Sequence, residues 1–145
     1  MKVFLGGTCN ESSWREELEG LLSIAVKRFN PVVKDWDEAA QEREVIEHAA
    51  CDYALYVLTP RMTGVYSIAE VVQDSNTRPS QTLLCILPHD GELRWTEGQR
   101  RSLHAVEQLC ARNGAHVFDT LGSVAFYLNR KAFEGQPCSP QMRDL

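Results

Sequence analysis

Glu70 stands where a side chain can meet a small substrate. It ends the run Thr59-Pro-Arg-Met-Thr-Gly-Val-Tyr-Ser-Ile-Ala-Glu70, which directly follows the apolar stretch Tyr53-Ala-Leu-Tyr-Val-Leu58. The pattern reads as a buried strand, a Pro/Gly turn, and a helix that opens with a carboxylate in its first turn. In an open α/β sheet that corner lies at the carboxyl edge, where ligands bind. A carboxylate there can act as a nucleophile. The spacing supports a second role equally well: Ser67-x-x-Glu70 fits a capping box, in which Glu70 only satisfies a backbone N–H.

Other residue types near that edge suggest binding. Gly6-Gly7-Thr8 follows the first apolar run, and either lets backbone approach a ligand closely or simply makes a tight turn. A phosphate fits the N-terminus of the first helix, near Thr8 to Ser13, although no G-x-x-x-x-G-K-[ST] is present. Gly64, Tyr66 and Ser67 share the loop before Glu70 with Arg61. Tyr66 and Trp14 offer aromatic faces to a base, and both equally suit packing. His48, His89, His104 and His116 stand in no metal-ligand spacing. Cys9, Cys51, Cys85, Cys110 and Cys138 include no C-x-x-C pair, so neither zinc nor a disulfide framework is supported. Reduced cytosolic thiols and no cofactor are the expectation.

These residues need a frame, and strand and helix patterns alternate to supply one. Val3-Phe-Leu5 begins a strand that Gly6-Gly7 breaks. Ser12 or Ser13 caps a helix over Trp14 to Val26, with Ser13-x-x-Glu16 as a capping box. A second strand is expected over Phe29 to Val33, a helix over Glu38 to Ala50, and a central strand over Tyr53 to Leu58. Helix from Ser67 to Asp74, strand from Thr82 to Leu87, helix from Thr96 to Arg112, strand from His116 to Phe118 and helix from Ser123 to Phe133 follow. Residues 134–145 read as an extended tail. Connections of this length imply right-handed crossovers and a parallel sheet. The expected fold is one flavodoxin-like α/β domain with strand order 2-1-3-4-5 and helices on both faces, its switch point between strands 1 and 3.

Composition limits the partners. At 145 residues the chain suits one domain, and 43% hydrophobic with 24% charged content is ordinary for a soluble globular protein. A net charge of -5 argues against a nucleic-acid polymer as partner. No apolar run approaches the roughly 20 residues that span a bilayer, and no signal-peptide pattern is present, so a cytoplasmic protein without membrane contact is expected.

Gly64-Val-Tyr-Ser-Ile-Ala-Glu70, Phe4-Leu-Gly-Gly-Thr-Cys9, Asp35-Trp-Asp37 and Cys51-Asp52-Tyr53, in this order, resemble the nucleoside 2-deoxyribosyltransferase-like family, in its short, divergent branch. The resemblance implies cleavage or exchange of the N-glycosidic bond of a nucleoside or nucleotide, with Glu70 as nucleophile. Oxocarbenium character at C1′ suits a nearby carboxylate, and the departing base needs a proton donor. Asp35 and Asp37, just beyond strand 2, are the candidates for that partner, although Asp37 equally suits an N-cap. Glu44 falls near an acidic position of the better-known transferases but reads as a solvated helix residue. Asp52, at the amino end of the central strand, reads as structural.

The family's pattern is not followed throughout. Met62-Thr63 precede Gly64 where the familiar transferases have an acid, and Val71 follows Glu70 where they usually have glycine. Base and sugar preference therefore do not carry over. The resemblance also implies a homo-oligomer, a dimer or multiple of dimers, whose neighbouring C-terminal residues complete each site; Asn129 and the Leu145 carboxylate suit that position. Hydrolysis of a deoxynucleoside monophosphate, a TIR-like NAD glycohydrolase suggested by Ser12-Ser-Trp-Arg-Glu16, and a non-catalytic nucleotide sensor are the rival readings.

Overall fold

The structure is a computed structural model in which residues 1–136 are described. β1 (Lys2–Gly7), α1 (Trp14–Leu21), β2 (Lys27–Phe29), α2 (Glu38–Ala50), β3 (Tyr53–Leu58) and α3 (Tyr66–Thr77) form the first half. A 3₁₀ turn (Pro79–Gln81) leads to β4 (Thr82–Ile86), then β5 (His89–Asp90), β6 (Leu93–Arg94), α4 (Glu97–Asn113), β7 (His116–Phe118) and α5 (Leu121–Glu134). Five parallel strands lie in the order β2-β1-β3-β4-β7. This is the expected flavodoxin-like order. Its fifth strand is β7 because β5 and β6 form a separate antiparallel hairpin, in a stretch expected to be loop.

Strand alternation builds two cores. In β3, Leu55 and Val57 face a cluster with Trp14, Leu18, Val124 and Leu128, so α1 and α5 cover that side. Ala54, Tyr56 and Leu58 face the other side with Val71, Leu103 and Cys110 of α3 and α4. The near-continuous apolar run of the central strand follows from burial on both faces. Amphipathic α2 buries no residue fully, and leaves Val45 and Ile46 64% and 67% exposed.

Two expected boundaries and one expected cap differ, each for a local reason. α1 ends at Leu21 rather than Val26: Asn129 of α5 accepts from Ser23 N (2.7 Å) and donates to Leu21 O (3.0 Å), which draws the chain off the helix axis. β2 ends at Phe29 rather than Val33, because Pro31 has no N–H for the ladder. Val32 and Val33 leave the sheet. The Ser13–Glu16 capping box does not form, and Ser13 Oγ donates to Glu17 Oε1 instead (2.8 Å). The other helix signals hold better: Thr96 and Gln99 make a full capping box, and Gly114 closes α4 in the left-handed region. The tail from 137 onward, with Cys138 and Leu145, lies outside the described residues.

Where β1 meets its loop, the sequence leaves no choice of residue. Gly7 has φ 110°, and a Cβ built there would stand 2.1 Å from the Val57 carbonyl oxygen. Only glycine combines that conformation with so close a neighbouring strand. The tight approach holds the loops after β1 and β3 side by side.

Candidate active site

The loops after β1, β2 and β3 meet at the carboxyl edge around a cavity of about 380 Å³. Its floor is Gly6, Gly7 and Thr8; Gly64, Tyr66, Ser67 and Glu70 come from the other side of the switch point. A second cavity of about 650 Å³ adjoins it, lined by Gln41, His48, Tyr56 and Gln73. Phe4, Trp36, Glu44, Tyr66 and Glu70 line both.

Glu70 is not a capping residue. α3 begins at Tyr66 with Val65 as N-cap and no side-chain cap, so the Ser67–Glu70 box is absent. Its carboxylate is instead half-buried in the cavity wall, its pKa pushed up to about 7. Burial contributes most, then the charge of Glu44; His48 pulls the other way and Asp74 adds to the rise. Desolvation and a neighbouring anion both disfavour ionisation, so this carboxyl changes state near neutral pH.

An anchor holds Glu70 from behind. Asp74, one turn along α3 and 5% exposed, presents Oδ2 to Tyr56 OH (2.7 Å), His48 Nε2 (2.7 Å) and Arg78 Nη2 (3.4 Å). Burial alone would raise the Asp74 pKa, but hydrogen bonds from His48 and Tyr56, with the His48 and Arg78 charges, hold it below the usual carboxylate range. Burial pushes the Tyr56 phenol upward, and Asp74 reinforces the shift, so Tyr56 stays a donor. The cluster ties α2, which carries Glu44, to α3, which carries Glu70.

The remaining candidates divide. Thr8 is buried and fully engaged: its N–H donates to Val57 O, its Oγ1 accepts from Thr59 N, and its carbonyl accepts from Trp14 and Arg15. Trp14 is a packing residue, 1% exposed, whereas Tyr66 is 75% exposed at the cavity mouth. A Cβ at Gly64 would meet nothing within 4 Å, so no close contact requires glycine there. Asp37 caps α2 by accepting from Ala40 N (2.8 Å), and neither it nor Asp35 lines either cavity. Between them Trp36 does. Arg61 is paired with Asp90 (3.1 Å) beside a different cavity. Asp52 accepts from Lys2 N at the amino edge (2.8 Å). Asn129 is occupied by the chain around Ser23.

Sequence reasoning underweighted Glu44 and passed over His48, Trp36 and Arg15. Glu44 and His48 lie four apart, on one face of α2. Arg15 stands three residues before buried Leu18, and that charge on an apolar face was a readable signal.

The model of a family described as "Nucleoside 2-deoxyribosyltransferase like" matches residues 1–89, more than half of the chain and every element that lines the cavity. No curated protein matches the sequence. Among the described residues no helix is long and apolar enough to cross a membrane.

Proposed function

The chain belongs to the nucleoside 2-deoxyribosyltransferase-like family, and from that footing we propose that it cleaves or exchanges the N-glycosidic bond of a deoxynucleoside or nucleotide. The observation that carries this reading is the Glu44–Glu70 pair. Two carboxylates line the same two cavities, and the charge of Glu44 helps to raise the pKa of Glu70. Ionised Glu70 attacks C1′ as the bond to the base breaks, and the departing base takes a proton from water. A second base then attacks the glycosyl-enzyme in a transferase, and water does so in a hydrolase. Asp35 and Asp37, the candidate proton donors on sequence alone, line neither cavity; Glu44 does, and its charge tunes Glu70.

Incubation with deoxynucleosides and free bases, followed by chromatography, tests the proposal. Exchanged nucleosides identify a transferase, and free sugar or sugar phosphate a hydrolase. Binding without any product would leave a sensing module and remove the enzymatic reading.

The same reading includes a symmetric oligomer. Trp36, Val45, Ile46, Val65 and Tyr66 are each more than 60% exposed, and they belong to the elements around the cavity mouth. A second copy of the chain would bury this apolar rim and cover the cleft. Light scattering should therefore give a dimer or a multiple of dimers at micromolar concentration. A fully active monomer at that concentration would remove the shared site.

A further inference from the structure

We propose that the end of the cavity remote from the carboxylates is a subsite for a phosphate group carried by the substrate, with Arg15 as its cation; this rests on the nucleotide reading of the same cleft.

Arg15 is 5% exposed and lines the cavity beside the loop after β1. Its Nε and Nη2 donate to Leu5 O (3.3 and 2.9 Å) and its Nη1 to Thr8 O (2.7 Å). Those bonds use three of the five guanidinium N–H groups, which leaves one on each terminal nitrogen. No carboxylate among the described residues forms an ion pair with it. Burial lowers its pKa to about 10, with only Cys9 and exposed Glu16 acting the other way.

Buried charges in proteins are normally paired, because desolvating an unpaired ion is costly. Neutral carbonyl acceptors and the Trp14 ring, 4.3 Å from the guanidinium carbon, hold the group in position but supply no countercharge. A neutral amide side chain would serve carbonyls without that cost. The N–H groups of Cys9 and Asn10, in the loop that lines the same cavity, donate to no described acceptor. A fork of charged donors beside free amides and a helix N-terminus matches a phosphate monoester.

Orientation follows from charge. Glu44 and Glu70 repel a phosphate, so the anion takes the Arg15 side and the sugar faces Glu70. The cleft selects nucleotides over nucleosides.

Isothermal titration of the full chain with four deoxynucleosides and their 5′-monophosphates tests this, with amide NMR shifts on adding inorganic phosphate. Each preferred monophosphate should bind at least tenfold tighter than its nucleoside, with the gap narrowing as salt rises. Inorganic phosphate should move the Cys9 and Asn10 signals and compete with the monophosphate. Arg15→Gln should weaken monophosphate binding at least tenfold more than nucleoside binding. The comparison on the unaltered protein stands by itself if that variant does not fold. Equal affinity for both ligand classes, or Cys9 and Asn10 signals indifferent to phosphate, overturns the subsite. Phosphate shifts without binding of any nucleoside or monophosphate would support the anion site while removing the nucleotide reading on which it builds.

Discussion

Glu70→Gln should fold normally and lose turnover by about a thousandfold or more, with substrate affinity changed far less. The substitution preserves volume but removes both nucleophile and charge, so the loss falls on the transition state. The pH profile of the unaltered protein carries the sign. A nucleophile acts ionised, so kcat/KM should rise with pH through an apparent value near the Glu70 pKa of about 7. Glu44→Gln removes the anion that helps to raise it, and should move this limb to lower pH. A limb that falls through 7 would make Glu70 the acid instead.

The same substitution should act oppositely on stability. The folded Glu70 pKa lies above its ordinary 4.5, so its contribution is fully present below about 4.5 and is lost as pH rises through about 7. Glu70→Gln should therefore stabilise the protein at pH 8 by about 1–2 kcal/mol, after allowance for solvent screening. At pH 4 the gain should vanish. Near-normal turnover by a well-folded Glu70→Gln protein would falsify the mechanism.

Gly7→Ala is expected to cost on the order of 3–5 kcal/mol, a large part of a marginal fold's stability. The new methyl meets the Val57 carbonyl at 2.1 Å, and φ of 110° is unfavourable to any L side chain. Neither strain relaxes without separating β1 from β3 at the centre of the sheet. Gly64→Ala is the control: open space surrounds that position, and the change should stay within about 0.5 kcal/mol. Urea unfolding of both variants decides it. Equal midpoints would mean that the β1 loop adapts and that its close approach to β3 is not fixed.

The sheet was legible because its strands are apolar on both faces and separated by crossovers. Long-range order then followed from handedness and the switch-point rule. Short elements were harder to read. Val32 and Val33 have strand-like side chains, yet Pro31 takes them out of the ladder, and the two-residue hairpin of β5 and β6 has no periodicity to detect. Glu70, the two glycines and Tyr66 could be placed at one edge because strand ends fix them. Glu44 could not, since its position depends on how the lightly packed α2 is rotated about its axis. The Asp74 cluster, whose members come from three separate elements, sets that rotation together with the Lys2–Glu47 ion pair and Arg43 over the Phe29 ring. Ser67-x-x-Glu70 misled for a related reason: α3 starts two residues earlier than the box requires, and a frame shift of two turns a cap into a wall residue.

Glu70 and Asp74 occupy successive turns of one helix, and Asp74 is held by donors from α2, β3 and α3. A carboxylate mounted so close to a buried tether has no melting transition of its own. To release it, heat must first withdraw Asp74 from Tyr56, which belongs to the core of the central strand. Amides around residues 70–74 consequently exchange by global rather than local opening. The geometry of the cleft and the fold should then be lost as one cooperative event, at the temperature at which the domain itself comes apart.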